Sequence, residues 1–126
     1  LVEQCREAGT FFTCCPSTTE ATTKWRDLAA PDHAIRQMLD AGLNVTIHSD
    51  DPPMFATDLA NEYVLAASKL RMDAPMLKKC ALDSIRASWL DDGTKRDWLA
   101  AWTTEIDGLM AELDAATAQS RPRVTS

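Results

Sequence analysis

The stretch His48-Ser49-Asp50-Asp51-Pro52-Pro53-Met54-Phe55 sets two adjacent carboxylates directly after the apolar alternation of Val45 and Ile47. Asp is depleted in strands, neighbouring negative charges repel unless a cation or a shared proton accommodates them, and Pro-Pro ends any further ladder. A divalent metal ion on one carboxylate supplies that compensation, and the C-terminal end of a strand in an α/β protein is where such sites are built. Asp50 and Asp51 are therefore the candidate site residues, one of them as a metal ligand. The plainer alternatives are a loop carboxylate capping a helix for Asp50 and a structural bond to the loop backbone for Asp51. His48, two residues from Asp50, reads as a hydrogen-bonding residue of an interior rather than a ligand.

The elements that must position this pair can be read from period and punctuation. Residues 1 to 8 read as the end of a helix stopped by Gly9, and Phe11 to Cys14 as a short strand closed by Pro16. Residues 17 to 31 carry no sustained period and are expected to form a polar loop. Asp32 is the expected N-cap of a short helix with Ile35, Met38 and Leu39 on one face and Gly42 just past its end, and His33 a surface or second-layer residue. Asn44 to His48 form the second strand. Pro52-Pro53 leads into a loop, and Asp58 opens a helix with Leu59, Tyr63, Val64, Ala67 and Leu70 on one side. Asp73-Ala74-Pro75 starts another helix, carrying Met76, Leu77, Cys80, Ile85 and Trp89. Asp91-Asp92-Gly93-Thr94 then caps a last helix bearing Trp98, Trp102, Ile106, Leu109 and Leu113, its aromatic stripe expected to pack rather than to stack on bases.

Helix, strand, helix, strand, helix is the order of a parallel α/β sheet, since parallel neighbours need a helical crossover. Two strands leave two open edges, so further strands are expected from polypeptide outside this sequence. Val45 and Ile47 share one strand face while Thr46, His48 and Asp50 are expected on the other. The division expected is one body over residues 1–117 and a polar, frayed tail over 118–126.

With 126 residues, 45% of them hydrophobic, there is material for one real core. A net charge of −6 argues against nucleic acid or an anionic membrane as partner and favours a small-molecule role. No stretch reaches the roughly 18 apolar residues of a membrane span. Cys5, Cys14, Cys15 and Cys80 fit neither a disulfide framework nor a zinc knuckle, and read as reduced, buried thiols of a cytoplasmic protein.

Asp32 to Leu43, Val45-Thr46-Ile47, Ser49-Asp50-Asp51-Pro52-Pro53-Met54-Phe55, Thr57-Asp58-Leu59 and Glu62-Tyr63 together resemble the C-terminal part of the adenosine and adenine deaminases, zinc enzymes of the amidohydrolase superfamily. Cys15-Pro16-Ser17-Thr18-Thr19 resembles that family's Cys-Pro motif, and Ser84-Ile85-Arg86-Ala87-Ser88 the segment before its last helices. The resemblance implies the last two strands and terminal helices of a (β/α)8 TIM barrel. It also implies one zinc ion, with Asp50 as its ligand and a catalytic residue orienting the attacking hydroxide, and Asp51 as a substrate-binding residue donating to purine N7. Because N7 accepts, Asp51 has to carry a proton there. Zinc brings water ionisation near pH 7, and attack at C6 displaces ammonia. The family's other zinc ligands and its acid/base residues lie upstream, so this chain alone is expected to be inactive and to need the remainder of its barrel. His48 and Thr19 each replace an Asn common in the family.

The activity implied is zinc-dependent conversion of adenosine to inosine and ammonia, with adenine deamination to hypoxanthine as the alternative. A noncatalytic helical interaction module with a relic Asp pair is the reading from another class. The Pro-Pro-Met-Phe continuation is closer to adenosine-type members than the Pro-Ala-Tyr-Phe of adenine-type ones.

Overall fold

The computed structural model describes residues 1–120. They form two compact units, residues 1–89 and the residues from Leu90 onward. In the first, α1 (Val2–Glu7) leads to β1 (Phe11–Cys14), α2 (Pro16–Thr22), α3 (Ala34–Asp40), β2 (Asn44–Ile47), α4 (Pro52–Phe55), α5 (Leu59–Ser68) and α6 (Ala74–Ala87). The second holds α7 (Asp92–Ser120). No described helix is long and apolar enough to cross a membrane.

Local chemistry explains most of these boundaries. Gly42 adopts φ +71, a left-handed conformation glycine enters without steric cost, and the Leu43 N–H reaches back to the Met38 carbonyl at 3.1 Å, closing α3. Asp58 and Asp73 cap α5 and α6 as expected, accepting from Asn61 N–H at 2.7 Å and Met76 N–H at 2.9 Å. Asp91 caps α7, accepting from both the backbone and the hydroxyl of Thr94, and those bonds hold its carboxyl below the ordinary range.

β1 and β2 pair in parallel, and α3, α5 and α6 pack on β2. Val45 and Ile47 enter a buried cluster with Cys14, Leu28, Ile35, Ala66, Leu70, Met72 and Cys80. The base of β2 is tied to α6 through Lys79, whose Nζ donates to Asn44 Oδ1 at 3.1 Å and pairs with the buried Asp83, which Arg86 also meets at 2.7 Å. Met54, Leu59 and Val64 leave apolar surface uncovered in the first unit. On α7, Trp98 and Trp102 stack with ring centroids 6.5 Å apart and stay about half exposed.

Several expectations are corrected. The supposed loop 17–31 begins with α2, a Pro16-led helix whose Thr19 and Thr22 hydroxyls bond back to the carbonyls four residues earlier. A Ser/Thr-rich segment this short shows no apolar period. Pro52-Pro53 starts the single turn α4, because proline fits the first helical positions. On α5 the buried residues are Glu62 and Ala66, while Leu59, Val64 and Ala67 are exposed, so the inner face is rotated from the apolar reading. Trp89 lies past the end of α6 and is fully exposed. α7 runs on through Ser120, past the start of the expected tail, whose remaining residues 121–126 lie outside the described residues.

The N-cap of α3 is His33, not Asp32, and it is buried. Its Nδ1 accepts the Ile35 N–H at 3.2 Å, which only a ring unprotonated at Nδ1 can do, while Nε2 is enclosed without a hydrogen bond. Burial pushes the His33 pKa down; the Trp25 backbone and the carboxylates of Asp27, Glu20 and Asp32 oppose this only in part. The unfolded chain therefore takes the proton more readily than the folded one. The His33 contribution to stability is fully present above its ordinary value of 6.5 and is lost as pH falls below it. In the intact protein, His33→Asn keeps a capping acceptor and removes the titration, so stability measured by denaturant unfolding should fall less steeply between about pH 7 and 5. Any remaining slope includes His48, which burial also holds down. An unchanged slope would refute the assignment.

Candidate active site

Parallel register sets the geometry. Cys14 pairs with Ile47, and the His48 N–H donates to the Cys14 carbonyl at 2.9 Å, so the strands end level and Cys15-Pro16-Ser17 and Ser49-Asp50-Asp51 depart side by side. Thr46 and His48 share a strand face, with Nε2 of His48 2.8 Å from Thr46 Oγ1. The Thr46 hydroxyl also lies 3.3 Å from the Phe12 carbonyl and so links His48 to β1, with donor and acceptor in the His48–Thr46 pair following the tautomer of the ring.

Asp50 does not continue the strand alternation. It lies three residues beyond Ile47 with φ +57, in the left-handed region where Asp and Asn are the most tolerant non-glycine residues. Its side chain is exposed and makes no hydrogen bond or ion pair among the described residues. It lies beside the end of β1, since its charge, together with that of Glu62, adds to burial in raising the Cys15 thiol above its ordinary value. Both effects disfavour the Cys15 thiolate.

The next residue has a different fate. Asp51 Oδ1 accepts the Met54 N–H at 3.3 Å and caps α4, which Ala56 closes at φ +49. Its Oδ2 has no hydrogen-bond partner among the described residues. Thr57 follows, its N–H on the Pro52 carbonyl at 3.2 Å and its hydroxyl on Glu62. Glu62 is fully buried and also accepts the Ser17 N–H at 2.9 Å, joining the exits of the two strands. Reading the sequence for apolar faces missed Glu62; the signal available was its position four residues before Ala66, on the buried face of α5.

Burial acts in the same direction on two further thiols. Burial raises Cys14 to about 12 and Cys80 to about 11, with no disulfide among the described residues.

The donor chemistry fits one share of a metal site. Asp50 offers a hard oxygen donor that no hydrogen bond or ion pair occupies among the described residues, but no group of three or more His, Cys, Asp or Glu able to hold an ion exists among them. The remaining ligands of a four-coordinate ion would have to come from other polypeptide.

Residues 1–103 match the family model described as adenosine deaminase. The chain belongs to the adenosine deaminase family. It is 46% identical over 93 residues to an aminodeoxyfutalosine deaminase of Streptomyces avermitilis, covering 74% of this chain and 24% of that protein. It is 36% identical over 100 residues to an adenine deaminase of Rhizobium rhizogenes, covering 79% of this chain and 30% of the relative. Among solved structures it is similar to a zinc-bound amidohydrolase from Burkholderia ambifaria, with a TM-score of 0.82 and 31% identity over 90% of this chain and 32% of that one. It is also similar to an adenine deaminase from Arthrobacter aurescens, with a TM-score of 0.75 and 28% identity over 84% and 32%. The chain thus spans a third or less of the length of these relatives. Its fold is that of the last two parallel strands and terminal helices of the family's (β/α)8 barrel.

The left-handed backbone at Asp50 can be separated from any ligand role. In the zinc-free intact protein, Asp50→Gly and Asp50→Asn should keep wild-type stability, while Asp50→Ala should lose about 1 kcal/mol. Denaturant midpoints of the three variants measure this; equal midpoints would mean that the backbone there carries no strain.

Proposed function

We propose that the protein to which this chain belongs hydrolytically deaminates a 6-aminopurine with a bound zinc ion, taking adenosine or a related nucleoside in preference to the free base. The observation that carries this reading is the divided fate of the adjacent carboxylates. Asp50 is held at a strand exit without a partner, as a carboxylate reserved for a cation is, and Asp51 is anchored through one oxygen with the other uncommitted. Zinc bound there supplies a Lewis-acidic centre and water that ionises near neutral pH. The residues of this chain do the rest of what falls to them: Asp50 contributes one anionic ligand and orients the attacking oxygen, and Asp51 orients the ring.

Asp51 suits that second task because its two oxygens are not equivalent. Oδ1 accepts the Met54 N–H, which leaves Oδ2 as the oxygen available to a purine ring. The capping bond keeps the carboxyl plane from turning, an orientation effect that is realised before substrate arrives.

Preference for a nucleoside is supported by the Pro52-Pro53-Met54-Phe55 run and by the higher identity to the aminodeoxyfutalosine deaminase than to the adenine deaminases. Adenine remains the second reading, favoured by the Rhizobium relative and the Arthrobacter structure. The free thiols suit a reducing, cytoplasmic setting.

The test uses the intact protein with adenosine, aminodeoxyfutalosine and adenine as substrates, following ammonia release and zinc content. Asp50→Ala should lose bound zinc and deamination together. Asp51→Ala should keep zinc near stoichiometric while activity falls by at least about a hundredfold. Loss of zinc from the Asp51 variant with retention in the Asp50 variant would reverse the two roles, and wild-type protein acting on none of the three substrates would reject both readings.

A further inference from the structure

Glu62 brings together segments 45 residues apart. Its Oε2 accepts the Ser17 N–H at 2.9 Å, in the first turn of α2 as the chain leaves β1. Its Oε1 accepts the hydroxyl of Thr57, at the end of the turn that follows Asp50-Asp51 as the chain leaves β2. Thr57 Oγ1 in turn accepts from Asn61 Nδ2 at 2.9 Å. A carboxylate with no exposed surface is costly unless its lone pairs are satisfied, and here both oxygens are occupied by donors from different segments.

Neither helix needs this bond in order to form. The N-terminus of α5 already has its cap in Asp58, and Ala66 anchors its inner face in the core, with Leu70 buried just past its end. α2 has buried Pro16 at its first position and three Thr side chains bonding back along its length and at its end. What the carboxylate adds is the placement of one strand exit relative to the other. We propose that Glu62 is a positioning residue that clamps the segment carrying Asp50 and Asp51 against the exit of β1, acting through Thr57 and Ser17, and so sets the distance across the deamination site. The clamp's bearing on catalysis rests on the deaminase reading above.

The clamp can be opened from its lighter side. Thr57→Val removes one hydroxyl and leaves Glu62 with Ser17, while Thr57→Ser restores the bond without the methyl group. Glu62→Gln keeps the shape and converts one acceptor into a donor. In the intact, zinc-loaded protein, Thr57→Val and Glu62→Gln should both speed amide exchange across residues 52–58 and release zinc faster to a chelator. Deamination kcat per zinc-loaded site should fall about tenfold or more, with a smaller change in KM, the size expected of a displacement well under 1 Å. Thr57→Ser should return all three readings to wild type. A loss of folded protein alone would leave kcat per zinc-loaded site unmoved, so the normalised rate separates positioning from stability.

Exchange and zinc release in Thr57→Val that match wild type would show that there is no clamp. Faster exchange with unchanged zinc release and unchanged kcat would show that the clamp does not position the site. A zinc-loaded wild type that deaminates none of adenosine, aminodeoxyfutalosine and adenine overturns the functional reading instead, and the Val and Ser comparison by exchange and zinc release still decides whether Glu62 holds the Asp50 segment.

Discussion

Parallel pairing of Phe11–Cys14 with Asn44–Ile47 is the constraint on which the rest depends. Antiparallel neighbours put one strand's exit beside the other's entrance; parallel neighbours put both exits at one end. Here the bond from His48 N–H to the Cys14 carbonyl carries the ladder one residue beyond β2 and levels the two ends. Everything chemically distinctive in the first unit, from Cys15 and Ser17 to Asp50, Asp51 and Glu62, follows from that alignment.

The core and the site divide the two faces of β2. Val45 and Ile47 bury against α3, α5 and α6, at roughly 1.5–3 kcal/mol for each large aliphatic side chain. Thr46 and His48 occupy the other face and bond to each other and to β1. The apolar face fixes which way the strand lies, so a slip of one residue would bury His48 and expose Ile47. That penalty secures the position of the Asp50 segment more firmly than any bond within the segment does.

Two buried carboxylates serve different ends. Asp83 is paired with Lys79 and Arg86, both on its own helix, and Lys79 reaches Asn44, so this network fastens α6 to the base of β2. Glu62 is satisfied instead by an amide and a hydroxyl from two other segments, at the opposite, exit end of the sheet. An ion pair within one helix is a local matter that surface exposure weakens. A carboxylate shared between segments distant in sequence constrains tertiary placement, and it does so where the site residues lie.

The sequence by itself determined the strands, the αβ order and the Asp pair at a strand exit, because these rest on local rules: period-two alternation, glycine at helix ends, Asp before a helix, proline after a strand. Gly42, Asp58 and Asp73 do in the structure what their types dictate. The family resemblance was equally local, being carried by runs of adjacent residues. Tertiary structure alone decided the rest. Whether His33 or Asp32 capped α3 depended on which side chain the core would enclose, and the Ser17 N–H at the start of α2 found its partner in a carboxylate 45 residues away. Asp50 left the strand alternation for a left-handed conformation that no periodicity encodes. Glu62, polar by type and buried in fact, acquired its importance only when folding brought Ser17 and Thr57 to its two oxygens, since a hydrogen bond between distant segments leaves no spacing for a sequence to show.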